Sequence, residues 1–242
     1  MGSVVASELG APGSDIPSFV AVADRRERSH GPGYLGTAFQ PLYVHDANKG
    51  VENLKSTTDA AKTDDQNWET ALQVWPEIVK FADAHGRRIT FENCPMLFSY
   101  DEWPSGHNLA TTPHNWRRIL EQWAPTIGLN FDPSHLVLQM IDMPRFIREF
   151  GPHIYHFQAK DLMIDRDGLY EHGIFSKGIG WQIPRLPGLG EVDWGVLFSA
   201  LYRAGYDGPC IIEHEDRGFE KTDELVKRGF LLARDILRPY CK

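Results

Sequence analysis

The chain has 242 residues, which is long enough for one large domain or for a domain with an appendage. Hydrophobic residues make up 42% and charged residues 24%, as is usual for a soluble globular protein. The formal net charge of −8 gives no electrostatic reason to expect a nucleic acid as a partner. No apolar run reaches the roughly 18 residues that a membrane span needs, so we expect no membrane partner.

The cysteine content indicates the compartment. Cys94, Cys210 and Cys241 are an odd number, and their spacing is not typical of a metal site. They suit a reducing environment better than a disulfide framework, and the N-terminus has no basic flank followed by an apolar stretch. We therefore expect a cytoplasmic protein.

Residues 1–60 differ in composition from the rest of the chain. They are rich in Gly, Pro, Ser and Ala, and short apolar runs at Phe19–Ala23 and Leu42–Val44 predict one or two short strands at most. The segments Pro17–Val20 and Gly31–Gly36 resemble part of an uncharacterised bacterial sulfatase-like family but include none of its catalytic residues. We interpret residues 1–60 as a loosely ordered leader or a foreign segment, and residues 66–242 as the domain that carries function.

From about residue 66 onward, the sequence alternates between helix and strand patterns. Apolar residues from Trp68 to Ala82 recur at helical spacing, and Gly86 predicts the end of that helix. Helix-capping residues predict four further starts, at Thr112, Asp142, Asp193 and Thr222. Apolar runs predict four strands, at Ile89–Glu92, Ile127–Asp132, Ile154–Ala159 and Cys210–Glu213. This alternation favours an α/β fold of parallel βα units.

Polar residues close these predicted strands. Glu92, Asp132 and Glu213 end three of them, and Gln158 lies one residue before the end of the fourth. In a parallel βα barrel the working residues collect at the C-terminal ends of the strands. An ionised carboxylate there is costly to bury unless it is paired or binds a cation. Three carboxylates and an amide in this position predict an oxygen-rich site for Mn²⁺ or Mg²⁺.

The sequence around these positions resembles the sugar phosphate isomerase/epimerase family, which has the xylose-isomerase-like (β/α) TIM barrel. The resemblance covers about residues 66–240 and rests on five segments in order: 91–93, 132–135, 156–161, 188–194 and 212–215. It implies that Glu92, Asp132, Gln158 and Glu213 bind one divalent metal ion. The His-x-Gln form at 156–158 resembles hydroxypyruvate isomerases, where other epimerases have His-x-His.

The resemblance also implies a reaction. A proton is removed from the carbon next to a carbonyl of a small sugar, and the metal stabilises the resulting enediolate. Glu92 and Glu213 would transfer the protons, and His135 and Lys160 would contact the substrate. Several positions also have a structural interpretation. Lys160 could be an exposed lysine, and His156 could be either a donor to the site or a core residue. The 181–187 loop could cover the substrate or be a packed surface loop, and a solvated loop explains His214, Glu215 and Asp216.

Three other functions compete with an isomerase. Dehydratases or lyases on the same scaffold share the metal and the proton abstraction. Apurinic endonucleases share the barrel but use His where Gln158 stands, and they add an Asp and a His where this chain has Pro184 and Pro187. Finally, eight βα units need about 250 residues, whereas residues 66–240 hold about four units. We therefore predict an incomplete barrel, the C-terminal half, which is either an enzyme or a truncated, non-catalytic fragment and is prone to form homo-oligomers.

Overall fold

The computed structural model describes residues 63–95, 108–174 and 180–241, together with the backbone of two short strands. The chain divides into two compact units, Met1–Thr57 and Thr58–Lys242. In the first unit, β1 (Val20–Val22) pairs in parallel with β2 (Leu42–Val44), at the two places where short strands were predicted. The remainder of residues 1–60, including the sulfatase-like segments, lies outside the described residues, so the leader assignment stays a prediction.

The second unit alternates helices and strands as predicted. In chain order its helices and strands are α1 (Asp64–Ala84), β3 (Ile89–Glu92), α2 (Pro113–Trp123), β4 (Ile127–Phe131), α3 (Ser134–Leu138), α4 (Met143–Phe150), β5 (Ile154–Ala159), β6 (Asp161–Ile164), α5 (Arg166–His172), β7 (Gln182–Arg185), α6 (Trp194–Arg203), β8 (Cys210–Ile212) and α7 (Asp223–Leu237). Short 3₁₀ turns occur at Gly151–His153, Arg217–Phe219 and Arg238–Tyr240.

Strands β3, β4, β5 and β8 form one parallel sheet in that order. These are the four strands that the sequence predicts. Two of them end one residue earlier than predicted, so that Asp132 and Glu213 follow their strands directly. Within the described ranges no strand pairs with the outer edge of β3 or of β8. This part of the structure thus shows the open parallel sheet of four strands that the sequence predicts.

Side-chain caps fix where the helices begin. The predicted caps Thr112, Asp142, Asp193 and Thr222 each accept a hydrogen bond from the backbone N–H three residues ahead. Each such cap typically stabilises a helix by about 1 kcal/mol. These starts are local features of the sequence, which is why the sequence alone locates them.

The hydrophobic core lies between the sheet and its helices. Leu129, Phe131 and Phe157 are fully buried, and the ring of Phe157 lies 5.8 Å from that of Phe198 in α6. Because side chains alternate along a strand, the residues between these apolar ones point to the opposite face. That second face carries polar groups such as Asn130, and it leads to the strand ends.

A two-stranded ribbon stands where the sequence predicts a loop. Strand β6 pairs antiparallel with β7, with Asp161 opposite Arg185. The interpretation of residues 181–187 as a loop was therefore wrong for Gln182–Arg185. The sequence does not predict this strand, because Pro184 has no N–H to donate and proline is therefore unfavourable in a central strand. Proline is accepted in an edge strand, where the side that faces away from the sheet needs no hydrogen bond. Across the residues with described structure, no helix is long and apolar enough to cross a membrane.

Candidate active site

The three predicted site carboxylates meet at the C-terminal edge of the sheet. Glu92 ends β3, Asp132 follows β4 and Glu213 follows β8. One carboxylate oxygen of each lies within 4.8 Å of the others. The parallel sheet produces this cluster, because the ends of neighbouring parallel strands lie at one edge.

Asp132 is the buried centre of the cluster, with no exposed surface. Its Oδ1 accepts a hydrogen bond of 2.8 Å from the backbone N–H of Ser134. Its Oδ2 lies 2.9 Å from Lys160 Nζ and 3.0 Å from His135 Nε2. Burial alone would raise the pKa of Asp132, but the positive charges of His135 and Lys160 lower it well below its ordinary value, so that the carboxylate stays ionised.

Lys160 is inside the cluster and is only 4% exposed, so its interpretation as an exposed lysine was wrong. Besides Asp132, its ammonium group contacts Glu213 Oε1 at 3.3 Å and Glu215 Oε2 at 3.0 Å. Burial opposes the charge, yet the carboxylates around Lys160 raise its pKa above the ordinary value. Lys160 therefore neutralises part of the negative charge at this edge. Its contact with a substrate stays a prediction.

Glu213 has an unusual environment for a carboxylate. Burial raises its pKa to about 7, the negative charges of Asp132, Glu92 and Glu215 act in the same direction, and Lys160 opposes them. Its Oε2 is buried and has no hydrogen-bond partner among the described residues. A buried oxygen without a partner is costly unless a ligand binds it, so Glu213 is suited to meet a cation or a proton.

The amide of Gln158 lies in a polar network on the same face of the sheet. Gln158 Oε1 accepts a hydrogen bond of 2.5 Å from Asn130 Nδ2. Asn130 Oδ1 in turn lies 2.6 Å from His156 Nδ1. A carbonyl oxygen has two lone pairs, so Gln158 can still offer one to a metal. Burial lowers the pKa of His156, which favours a neutral ring in this network.

His135 connects two of the carboxylates. It is 3% exposed, and its Nε2 lies 3.1 Å from Glu92 Oε1 as well as 3.0 Å from Asp132 Oδ2. Burial lowers the pKa of His135, but the charge of Asp132 outweighs burial and raises it well above the ordinary value. The predicted contact of His135 with a substrate hydroxyl is untested. The structure places its ring between two of the residues predicted to bind metal.

Two buried aspartates beside the site have structural roles that the sequence analysis missed. Asp161 has no exposed surface, and its carboxylate accepts four hydrogen bonds of 2.9–3.0 Å, from the backbone of Leu162, Gly188 and Val192 and from the indole of Trp194. It thereby fixes the turn that precedes α6. The sequence signal that could have indicated this role is the position of Asp161 directly after Lys160, at the start of β6.

Asp216 is likewise fully buried, so the solvated-loop interpretation was wrong for this residue. Its carboxylate accepts hydrogen bonds from the backbone of Leu186 at 3.2 Å and of Gly218 at 2.9 Å, and it pairs with Arg185 at 3.3 Å. Asp216 thus joins the segment after β8 to the end of β7 and fixes the loop that begins at Glu213.

The donor set at the edge of the sheet fits a divalent cation with oxygen ligands. Three carboxylates are close enough to share one ion, and one buried oxygen of Glu213 has no other partner within the described part of the chain. Carboxylate and amide oxygens are the ligands that Mn²⁺ and Mg²⁺ prefer. The residues present therefore form a candidate metal site.

Comparison with known proteins agrees with this architecture. The model of the xylose isomerase-like TIM barrel family matches residues 43–236, which is more than half of the chain. The chain belongs to this family. The match begins before residue 66 and therefore includes residues that the sequence analysis assigned to the leader.

Individual relatives are longer than the part of them that aligns with this chain. An uncharacterised protein of Bacillus subtilis (strain 168), YfiH, is 31% identical over 160 residues, 62% of this chain and 47% of that protein. An inosose dehydratase of Geobacillus thermodenitrificans (strain NG80-2) is 27% identical over 144 residues, 56% of this chain and 46% of the enzyme. The chain thus spans about half the length of these two curated relatives.

Solved structures support the fold. A D-psicose 3-epimerase from Clostridium cellulolyticum H10, crystallised with D-tagatose, superimposes with a TM-score of 0.53 at 17% identity. The alignment covers 76% of this chain and 60% of that chain. The described sheet therefore corresponds to part of a xylose isomerase-like barrel.

Proposed function

We propose that this chain carries the site of a divalent-metal-dependent sugar isomerase or epimerase. The observation that supports this most directly is the meeting of Glu92, Asp132 and Glu213 within 4.8 Å at the strand ends. A family that includes sugar-modifying enzymes makes a sugar or sugar phosphate the expected substrate.

The proposed reaction begins with proton abstraction next to the carbonyl of the sugar. When bound, Mn²⁺ or Mg²⁺ would polarise that carbonyl and stabilise the negative charge that develops on its oxygen. Glu92, Asp132, Gln158 and Glu213 would hold the ion. Asp132 is best suited to a purely ligating role, because its low pKa keeps it ionised.

The glutamates are the proposed proton-transfer groups. Efficient general bases have pKa values near the operating pH. In the metal-free protein, burial raises the pKa of Glu213 to about 7. Glu92 reaches the cluster from the opposite outer strand, β3, and would return the proton. His135 and Lys160 would contact substrate oxygens, and the buried ammonium group of Lys160 would stabilise developing negative charge.

Solvent exchange tests this proposal without knowing the sugar. The full chain is treated with chelator, reloaded with Mn²⁺ or Mg²⁺ and incubated with ketoses and their phosphates in heavy water. We expect nuclear magnetic resonance to show loss of the proton next to the carbonyl with the wild type. Glu213→Gln should abolish exchange, because an amide can still offer oxygen to a metal but cannot accept the proton. Equal exchange by the variant would rule out Glu213 as the base.

A dehydratase is the second candidate, because a curated relative is an inosose dehydratase. Dehydration also starts with loss of a proton next to a carbonyl, and it then expels a hydroxyl group. Mass spectrometry of the same reactions run in ordinary water separates the two, since an isomerised product keeps its mass and a dehydrated product loses one water. Absence of exchange with every substrate would support the remaining interpretation, a non-catalytic fragment.

A further inference from the structure

A second group of metal-ligating side chains adjoins the oxygen site. Glu92, Cys94 and His135 each offer one ligand atom, and these atoms lie within 4.8 Å of one another. Cys94 is 7% exposed and His135 is 3% exposed. This group shares Glu92 with the carboxylate cluster but adds sulfur and nitrogen, so its chemistry differs from that of the oxygen site.

Two asparagines hold the backbone that presents Glu92 and Cys94. The side chain of the buried Asn93 donates to the backbone oxygen of Asp132 at 2.8 Å and accepts from its N–H at 2.8 Å. The amide group of Asn108 donates to the backbone oxygens of both Glu92 and Cys94, each at 2.8 Å. The end of β3 is thereby fixed on both sides, which orients the two ligand side chains before any ion binds.

His135 completes the group from the helix that follows β4. Asp132 Oδ1 accepts from the N–H of Ser134, which positions the start of α3 and the imidazole one residue later. His135 Nε2 faces the carboxylates of Glu92 and Asp132. The side chain of His135 also forms a hydrogen bond with Cys94. The imidazole, the thiol and the carboxylate of Glu92 are therefore close enough to share one ion.

A thiolate, an imidazole and a carboxylate are a ligand set that zinc prefers. Sulfur and nitrogen ligands favour Zn²⁺, whereas the oxygen ligands of the neighbouring cluster favour Mn²⁺ or Mg²⁺. Three protein ligands leave the fourth position of a tetrahedral zinc ion open, as in catalytic rather than structural zinc sites. A carboxylate has two oxygens, so Glu92 can serve both groups.

We propose that Glu92, Cys94 and His135 bind a zinc-type ion next to the oxygen site and joined to it through Glu92. This site requires only these three side chains and does not depend on the proposed sugar reaction. Its presence would give the chain two adjacent metal ions with different ligand chemistry.

Cobalt binding tests the site on the full chain. Co²⁺ is added to chelator-treated protein, and the charge-transfer absorption that a thiolate–cobalt bond produces is followed. We expect the band to appear with the wild type, to disappear on addition of Zn²⁺, and to be absent from Cys94→Ser. Losing this ligand should weaken Co²⁺ binding at least about tenfold. Cys210→Ser, which removes a half-buried thiol on β8, is the matched control and should keep the band.

A measurement on the wild type alone guards against a variant that fails to fold. X-ray absorption of the zinc-loaded protein should show a sulfur neighbour at about 2.3 Å. A first shell of oxygen and nitrogen only, or a cobalt band that survives Cys94→Ser, would overturn the proposal. Failure here with intact proton exchange would leave the proposed function standing. A cobalt band without proton exchange on any sugar would support the second metal site and contradict the proposed function.

Discussion

Glu213 links the site to the pH dependence of stability. Its pKa is raised from the ordinary 4.5 to about 7, mainly by burial, so the folded state holds a proton that the unfolded state releases. A group of this kind contributes stability that is fully present below its unfolded pKa and is lost as the pH rises through its folded pKa. The chelator-treated protein should therefore become less stable between about pH 4.5 and about pH 7, by up to about 3 kcal/mol.

Urea unfolding at several pH values measures this effect. Glu213→Gln cannot ionise, so the fall in free energy of unfolding across the same pH range should be smaller in the variant than in the wild type. Because other groups also titrate, the difference between the two proteins is the decisive quantity. Identical pH profiles would show that Glu213 has an ordinary pKa in the folded protein.

Lys160 should contribute strongly to the stability of the metal-free protein. It is buried against Asp132 at 2.9 Å, and removing one partner of a buried ion pair leaves an uncompensated charge that costs about 3–5 kcal/mol. Lys160→Met should lower the free energy of unfolding by about this amount, and Mn²⁺ should restore part of the loss by supplying positive charge. Lys80→Met, at an exposed position on α1, is the control and should change stability by about 0.5 kcal/mol or less.

Thermal unfolding with and without Mn²⁺ provides this comparison. If Lys160→Met were as stable as the wild type without metal, Asp132 would not rely on the ammonium group for its charge balance.

At the scale of elements, the ribbon of β6 and β7 and the turn before α6 depend on close packing around Asp161. A Cβ atom at Gly190 would lie 2.3 Å from Asp161 Oδ1 and 2.6 Å from the backbone oxygen of Leu162. Neither atom can withdraw without breaking the hydrogen bonds that fix the turn. Gly190→Ala should therefore destabilise the fold by about 1–3 kcal/mol or more.

Gly195 provides the matched control, since it lies five residues further on, in α6. The nearest atom to a Cβ there is 3.5 Å away, an ordinary contact. Gly195→Ala should be neutral or stabilising, because alanine is the better helix former. Chemical denaturation of both variants would contradict this account if Gly190→Ala proved as stable as Gly195→Ala.

At the scale of the whole molecule, the sheet edges make self-association an expected property. Within the described ranges the outer edges of β3 and β8 have no paired strand. Unpaired edges expose backbone hydrogen-bonding groups to other chains. We expect light scattering over a dilution series to report a mass above that of one chain, decreasing on dilution. A single-chain mass at every concentration would contradict this expectation.

Features that depend on local chemistry could be predicted from the sequence alone. Caps such as Thr112 and Asp193 and apolar runs such as Ile154–Ala159 specify the elements and their order, because hydrogen bonds within one turn and side-chain periodicity are encoded by neighbouring residues. Since the strands are parallel, their terminal carboxylates are predicted to share one edge, and the structure brings Glu92, Asp132 and Glu213 together there.

The tertiary structure alone decided the environment of each polar group. The burial of Lys160 among three carboxylates depends on residues up to 55 positions away. The four donors to Asp161 and the grouping of Cys94 with His135 likewise join distant segments. Burial and long-range contacts set these charges and pKa values. Neither burial nor long-range contacts can be read from the order of residue types along the chain. The sequence thus predicted that these three carboxylates share one edge of the sheet, and the packing of the chain around them decided how each is buried and charged.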